Sequence, residues 1–473
     1  MNLPSPFLSA IRSLLGEEEC RRLTGALSVE PCVSIRLNPH KAPGPAASGE
    51  QVPWCGSGYY LPVRPAFTFD PLFHTGCYYV QEASSMFVEQ ALKQCLPVGR
   101  PVVMLDLCAA PGGKSTHALS LLPEGSLLVA NEVIRSRAQV LAENLTKWGC
   151  PNTIVTQNDP ADFASLTGVF DVLLTDVPCS GEGMFRKDPA AIEEWSIENV
   201  EHCRWRQRRI LKDVWPSLKP GGLLIYSTCT YNTLENEENV AWICQELGAE
   251  PIRLEVQEAW NITSSLTDTS LPVCRFFPHK TKGEGFFLAA LRKTKNEGEP
   301  NVSAPAFSRK TDKKQRTAFS KEALQTARGW VKEADKYAWN VCGNTLSAFP
   351  LAHQALLERC KQTLRILQAG IEVAEAKGKD LLPMQALALS TALQAEAFPL
   401  AEADYGQTIA YLRKEAVRLP PSVPRGFALL TCRNVPLGFV KNVGNRANNL
   451  YPAGWRIRSG HVPEKEETVI SDQ

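Results

Sequence analysis

From Arg100 to Thr230 the chain alternates short apolar runs with helical stretches. The runs are VVMLDLC, SLLVANEV, NTIVTQND, FDVLLTDVPCS and GGLLIYSTCT. The helical stretches are STHALSLL, RSRAQVLAENLTKWG and a long helix expected from about Ala191 to Leu218, after which the turn KPGG enters the fifth run. Strands apolar on both sides must be covered on both faces. Alternation with helices meets that need as a parallel sheet flanked by helices, so the expected fold class is α/β. In such a sheet, functional residues collect at the carboxyl ends of the strands.

At 473 residues the chain is too long for one ordinary core, and two to four domains are expected. Its 44% hydrophobic and 21% charged composition suits a soluble globular protein. A formal net charge of +1 argues against a uniformly basic protein and leaves room for a local basic face. No apolar run approaches the roughly 20 residues of a membrane helix, so no membrane partner is expected. The start, MNLPSPFLSAIRSLLGEEEC, lacks a basic region and suits a short amphipathic helix rather than a secretory signal. The fifteen cysteines include no CxxC pair, which disfavours a zinc site or thiol redox pair and points to free thiols in a cytoplasmic protein.

Six segments are expected. Residues 1–95 form an N-terminal substrate-facing module, with a strand at CVSIRLN and a Pro/Gly-rich stretch from Lys41 to Pro65; YYVQEASSMFVEQALKQCL reads as a turn followed by a helix. Residues 96–293 form the central domain. The polar stretch 294–316 is a linker, 317–390 an intermediate domain, 391–460 a domain rich in β-type runs (GFALLTC, LGFVKNV, WRIR), and 461–473 a tail. From Ala401 to Gly460 nine Lys/Arg stand against three Asp/Glu, a local basic excess.

DLCAAPGGK places small residues between a strand and a helix, where backbone can approach a ligand closely. It is not GxGxxG, and AAPGGKS lacks the first glycine of a phosphate-binding P-loop. Three acids strengthen the loop: Glu132, Asp159 and Asp176 end the second, third and fourth strands. An acid at the second strand end suits ribose hydroxyls. Each acid alone suits a helix cap; three in succession after a glycine loop argue for a nucleotide-like ligand. Two cysteines, Cys179 in TDVPCSGEG and Cys229 in YSTCTYN, end adjacent runs on the same rim. Either thiol alone reads as a buried structural cysteine. Together beside the loop they favour nucleophilic chemistry.

DLCAAPGGKSTHA, ANEV, QND, TDVPCSGEGMFRKDP, YSTCTYNTLENEENV and RFFPHKTKGEGFFLA resemble the Sun-type RNA cytosine-C5 methyltransferases, within them the RsmF-like bacterial 16S ribosomal-RNA enzymes. The resemblance spans about Tyr78 to Leu291, and PLGFVKNVGNRANNLYPAGWRIR resembles the family's PUA-like RNA-binding domain. It implies a Rossmann-like S-adenosylmethionine-dependent domain with a small N-terminal domain and a C-terminal PUA-like α+β region. It implies that Cys108, Ala109, Ala110, Pro111, Gly112, Gly113 and Lys114 bind S-adenosylmethionine, with Glu132 on the ribose, Asp159 on the adenine, and Asp176 shared with the cytosine. Cys229 matches the nucleophile and Cys179 the cysteine that helps release product. Without the resemblance, the PC motif would point to Cys179, as in DNA cytosine methyltransferases.

The chemistry needs a thiol because carbon 5 of cytosine is a poor nucleophile. A thiolate adding to carbon 6 pushes electron density onto carbon 5, and a later step removes the carbon-5 proton and expels the thiol. An Asp176 that donates to ring N3 must be protonated. Lys114 is expected to lower a thiol pKa or hold the substrate. RNA contacts are expected from RWRQRRILK (Arg204 to Lys212), from FRK (Phe185 to Lys187) with its aromatic ring on a base, and from Trp455, Arg456 and Arg458. Arg137 and Lys187 are further candidates for cofactor or RNA. The expected partner is 16S ribosomal RNA or the small subunit, met by a monomer. The other readings are the same chemistry on transfer RNA, and a non-catalytic RNA-binding assembly factor.

Overall fold

The computed structural model describes residues 2–41, 49–267, 271–294, 319–378 and 380–460. The expected linker 294–316 and tail 461–473 lie outside the described residues, apart from Thr294.

The central sheet is built from β1 (Val103–Asp106), β2 (Leu127–Asn131), β3 (Thr153–Thr156), β4 (Phe170–Asp176), β5 (Leu218–Thr228), β6 (Ala249–Ile252) and β7 (Phe286–Lys293). Their order is β6-β7-β5-β4-β1-β2-β3, with β1 to β5 parallel and β7 antiparallel to both neighbours. Alternate residues feed two cores. Met104, Leu128, Leu174 and Ile225 pack on one face. Leu105, Val129, Leu173 and Leu224 pack on the other. Each such buried side chain contributes about 1.5–3 kcal/mol of transfer free energy.

Four helices position the site: α1 (Gly113–Leu119), α2 (Arg135–Trp148), α3 (Ile197–Val214) and α4 (Glu237–Glu246). In α2 the buried Ala138, Leu141, Leu145 and Trp148 recur at helical spacing and lay one stripe on the sheet. The long helix expected from Ala191 to Leu218 is broken. Pro189–Glu194 forms one short helix, and Ser196 caps α3 by accepting the Asn199 N–H at 3.0 Å. Periodicity alone missed the break because Trp195 and Ser196 fit either helix. The KPGG segment is not a separate turn. It lies inside β5, where the pairing with β4 shifts register between Phe170 and Val172.

The N-terminal module carries two helices, Ser5–Leu15 and Glu17–Leu27, then an antiparallel sheet of Glu50–Gln51, Gly58–Leu61, Val33–Leu37 and Tyr78–Val80. Tyr78–Val80, expected as a turn, is a strand because its aromatic residues complete the edge beside Val33–Leu37. Buried Arg36 ties this sheet to the centre: it donates to Gln81, to the Gly113 carbonyl and to Thr116 of α1.

Residues 319–378 and 380–390 carry an antiparallel sheet of their own and send one strand, Ile366–Ala369, onto the free edge of β3. The C-terminal region pairs Leu400–Glu402, Gly426–Cys432, Val435–Asn442 and Ala447–Asn449 around the helix Tyr405–Leu412. WRIR, expected as a strand, is not one: Ala453–Trp455 is a short 3-10 turn, and the next three residues have no regular structure.

Candidate active site

β1 ends on Asp106 and β4 on Asp176, and the loop Cys108–Gly112 runs between β1 and α1. Cys108, Ala109, Ala110, Pro111, Gly113 and Lys114 line a crevice of about 180 Å³ with Asp106 and Asp176. Tyr79, Gln81 and Glu82 close it from the N-terminal module. Gly112 has φ +113°, in the left-handed region that favours glycine, and so turns the chain into α1. A side chain at Gly113 would meet Tyr79 at 3.4 Å.

Asp106 was not anticipated as a site residue, although it obeys the same strand-end rule as the other acids. It accepts the Ser115 hydroxyl at 2.6 Å on one oxygen, while its other oxygen is buried with no protein partner. Burial pushes its carboxyl up to about 7, against the Ser115 hydrogen bond. An orphaned carboxylate oxygen beside a crevice fits a cationic or amine-bearing ligand.

Glu132 is buried just past β2; it accepts the Ile134 N–H at 2.9 Å and lies 3.5 Å from Arg137. Arg137 donates to the Ala110 carbonyl at 2.9 Å, so it braces the loop. Asp159 caps a 3-10 turn by accepting the Ala161 N–H at 3.1 Å, and Arg209 reaches within 3.9 Å of it. Neither acid lines the crevice itself; both stand at the neighbouring strand ends.

The register aligns Asp176 of β4 with Ser227 of β5. Cys179 lies three residues past the first and Cys229 two past the second, so both thiols reach one rim. Their sulfurs are 3.1 Å apart, and the Cys229 N–H donates to the Cys179 sulfur at 3.3 Å. The contact to Cys229 and burial hold the Cys179 thiol far above its ordinary range. Asp176 accepts Lys114 Nζ at 2.8 Å on one oxygen and the Ser227 hydroxyl at 2.7 Å on the other. Burial pulls the Lys114 ammonium down, but Asp176 outweighs it and the net shift is upward. The ammonium also sits 5.2 Å from the Phe286 ring centre. The rim thus holds two sulfurs, a carboxylate and a cation beside a crevice fit for a cationic ligand.

Two further acids were missed. Glu182, three residues past Cys179, accepts from the Thr230 hydroxyl at 2.7 Å and from the N–H groups of Tyr231 and Asn232 at 2.7 and 2.9 Å. Glu235, six residues past Cys229, accepts from the Ser180 hydroxyl at 2.5 Å and from Gln207 at 2.7 Å. Each cysteine's loop is therefore held by an acid from the other's. Gly183 lies between them, donating its N–H to the Cys229 carbonyl at 2.8 Å. The only signal in the sequence is that SGEG and TLENEEN follow the two cysteines.

The expected RNA contacts divide. Phe185 is buried, with its ring 5.0 Å from Phe7 and in the same cluster as Trp195, so it packs the N-terminal helix onto the loop after Cys179 and does not face a base. Lys187 lies 3.5 Å from Glu284 and lines a groove of about 910 Å³ that adjoins the crevice at Gln81 and Glu82, between the N-terminal sheet and the loop after Cys179. On α3, Arg204 pairs with Glu238 at 3.1 Å and Arg208 donates to Asn239 at 2.8 Å. Trp455 is half-buried, with Lys147 5.4 Å from its ring centre; Arg456 and Arg458 are exposed. The one group of described residues with metal-ligand proximity, Cys55, Glu89 and His117, is buried away from the crevice and internally hydrogen-bonded.

A model described as 16S rRNA methyltransferase RsmB/F matches residues 96–292. One for the N-terminal domain of 16S rRNA methyltransferase RsmF matches 3–83, and one for the methyltransferase RsmF PUA domain matches 398–457. Ribosomal RNA small subunit methyltransferase F of Klebsiella pneumoniae (strain 342) is 32% identical over 413 residues, 85% of this chain and 83% of that protein. The protein of the same name from Vibrio cholerae serotype O1 (strain M66-2) is 30% identical over 472 residues, 96% of this chain and 97% of that one. Among solved structures, a methyltransferase homolog protein from Pyrococcus horikoshii has 27% identity and a TM-score of 0.53, covering 61% of this chain and 95% of its own. The structure of NSun6 from Pyrococcus horikoshii with SFG shares the fold at 21% identity and a TM-score of 0.52, covering 62% of this chain and 99% of its own.

Proposed function

The chain belongs to the ribosomal RNA small subunit methyltransferase F family, and on that premise we propose that it methylates carbon 5 of one cytosine in 16S ribosomal RNA through a covalent bond from Cys229. The observation that carries the reading is the Cys179–Cys229 pair, 3.1 Å apart, on the rim that Asp176 shares with the crevice.

S-adenosylmethionine, bound in the crevice, supplies an activated methyl group. The loop Cys108–Lys114 would hold it, with Glu132 serving the ribose, Asp159 the adenine and the unpartnered oxygen of Asp106 its positive charge. The Cys229 thiolate adds to carbon 6, and the electron pair displaced onto carbon 5 takes the methyl. Asp176 contacts the N3 and amino edge of the ring, and Lys114 beside it offsets the charge that develops there. A base then takes the carbon-5 proton, the C5=C6 bond re-forms and the Cys229 sulfur leaves with its electron pair. Cys179 assists that departure. The target base must leave any stack to reach Cys229, so a single-stranded or flipped cytosine is expected.

On this reading the PUA-like domain and the N-terminal module grip the RNA, and the protein acts in the cytoplasm as a monomer. Among the described residues no helix is long and apolar enough to cross a membrane. The test is bisulfite sequencing of undermethylated small subunits and transfer RNA incubated with the protein and S-adenosylmethionine. One protected cytosine in 16S ribosomal RNA, lost in Cys229→Ala, is the expected result. Protection confined to transfer RNA, or none in either pool, overturns the substrate assignment.

A further inference from the structure

The two cysteines have unlike surroundings. Lys114, whose ammonium feels the Cys229 sulfur, stands on the Cys229 side. The buried carboxyl of Glu235 stands on the Cys179 side. It accepts the Ser180 N–H at 3.1 Å as well as the Ser180 hydroxyl at 2.5 Å. Gln207 of α3 completes the clamp, donating from one amide nitrogen to Glu235 at 2.7 Å and to the Pro178 carbonyl at 2.9 Å. The residues on both sides of Cys179 are thus fixed to one acid. Asn232 donates to the same acid at 2.8 Å, so the acid is fixed in turn to the loop behind Cys229.

We propose that Glu235 is a positioning residue for the reaction: it clamps the Pro178–Ser180 turn so that Cys179 stays a neutral thiol whose S–H points at the Cys229 sulfur. This inference rests on the reading of Cys229 as the attacking sulfur. It divides the labour between two chemically identical groups. A carboxylate near Cys179 opposes its ionisation, and the Lys114 ammonium stands by the other sulfur. In the release step a water molecule takes the carbon-5 proton, that C–H pair re-forms C5=C6, and the C6–S pair goes to the Cys229 sulfur. The departing thiolate then receives the Cys179 hydrogen bond, which an ionised Cys179 cannot give. The titratable groups facing Glu235 are Glu182 of the opposing turn, Cys203 of α3, Tyr226 of β5 and Cys179. Burial first, and Glu182 after it, push the Glu235 carboxyl up to about 7, against the donors from Ser180 and Asn232, so it is a carboxylate across the alkaline range where thiols titrate.

The test is alkylation of the full-length protein by iodoacetamide across pH, quantified cysteine by cysteine by mass spectrometry, in wild type and Glu235→Gln. Wild type is expected to show a higher midpoint for Cys179 than for Cys229. Glu235→Gln should lower the Cys179 midpoint by about one unit. With RNA and S-adenosylmethionine it should also accumulate several-fold more covalent protein–RNA adduct than wild type, because an amide nitrogen in place of one carboxylate oxygen cannot accept from Ser180 or Gln207 and the turn that aims the Cys179 S–H loosens. If either change is missing in a variant that melts like wild type, the proposal is overturned. If the variant does not fold, the wild-type order decides, and a Cys229 midpoint at or above that of Cys179 overturns it. The alkylation arm needs no RNA, so absence of methylation by wild type would sink the proposed reaction without touching the clamp. Failure of the clamp would leave wild-type methylation intact.

Discussion

The sulfurs of Cys179 and Cys229 lie 3.1 Å apart although fifty residues separate them, because each leaves the carboxyl end of one of two adjacent parallel strands. Such a pair has two distinguishable members only if their roles differ. On the proposed mechanism Cys229→Ala forms no adduct, whereas Cys179→Ala forms one and cannot release it. Denaturing gels of protein incubated with RNA and S-adenosylmethionine read both outcomes. An adduct in Cys229→Ala would exchange the roles.

Glu182 and Gly183 predict a second effect. Replacing Glu182 by Ala leaves the buried N–H of Tyr231 and the buried indole N–H of Trp195 without their acceptor, each costing about 1–3 kcal/mol unpaired. A loss of several kcal/mol in denaturant unfolding is expected. A Cβ at Gly183 would lie 2.7 Å from the Gly285 carbonyl and 2.9 Å from that of Cys229, both backbone. Gly183→Ala must therefore push the two cysteine loops apart. It should lower methyl transfer at least tenfold, about 1.4 kcal/mol of barrier, even where unfolding changes little. Wild-type turnover in Gly183→Ala would show that the loop spacing does not matter.

The strand–helix alternation and the glycine loop were legible because each depends on residues close in sequence, and the cysteine pair, fifty residues apart, because each thiol follows a strand expected in the same parallel sheet. The two bracing acids were not. An acid in SGEG or TLENEEN suits a surface turn as well as a buried site, and only the pairing of β4 with β5 brings donors from fifty residues away to neutralise the cost of burial. Phe185 illustrates the same limit: an aromatic beside two cations suits a nucleic-acid surface, but the partner that buries it, Phe7, lies at the other end of the domain pattern. The strand Ile366–Ala369 carries no mark of its place, since its partner β3 precedes it by more than two hundred residues.

Arg36 gives a third prediction. It is fully buried, its Cζ lies 4.4 Å from the Trp148 ring centre, and burial brings its guanidinium down to about 10. Its donors fix Gln81, which lines the crevice, and the Gly113 carbonyl at the start of α1. Arg36→Met should therefore weaken S-adenosylmethionine binding about tenfold, or about 1.4 kcal/mol, by loosening the wall and the loop together. Calorimetric titration checks it. Unchanged affinity in a folded variant would mean that the N-terminal module does not shape the crevice.

Asp106 predicts a pH dependence. Its carboxyl is near 7 in the folded chain against 3.8 for the unfolded residue, a raised value. Between those two values the folded state binds more protons than the unfolded state, so stability falls as pH rises through that window. The loss amounts to about 4 kcal/mol once both states are ionised. Asp106→Asn keeps the acceptor for Ser115 and removes the titration. Its melting temperature should exceed that of wild type at pH 8 and approach it near pH 4. The cost of the bare carboxylate is what a positively charged cofactor relieves, so S-adenosylmethionine should bind more tightly as pH rises from 6 to 8 and release a proton on binding below pH 7. Titrations in buffers of different ionisation enthalpy measure that proton directly. Binding with no proton release in wild type, or with the same release in Asp106→Asn, would separate Asp106 from the cofactor's charge.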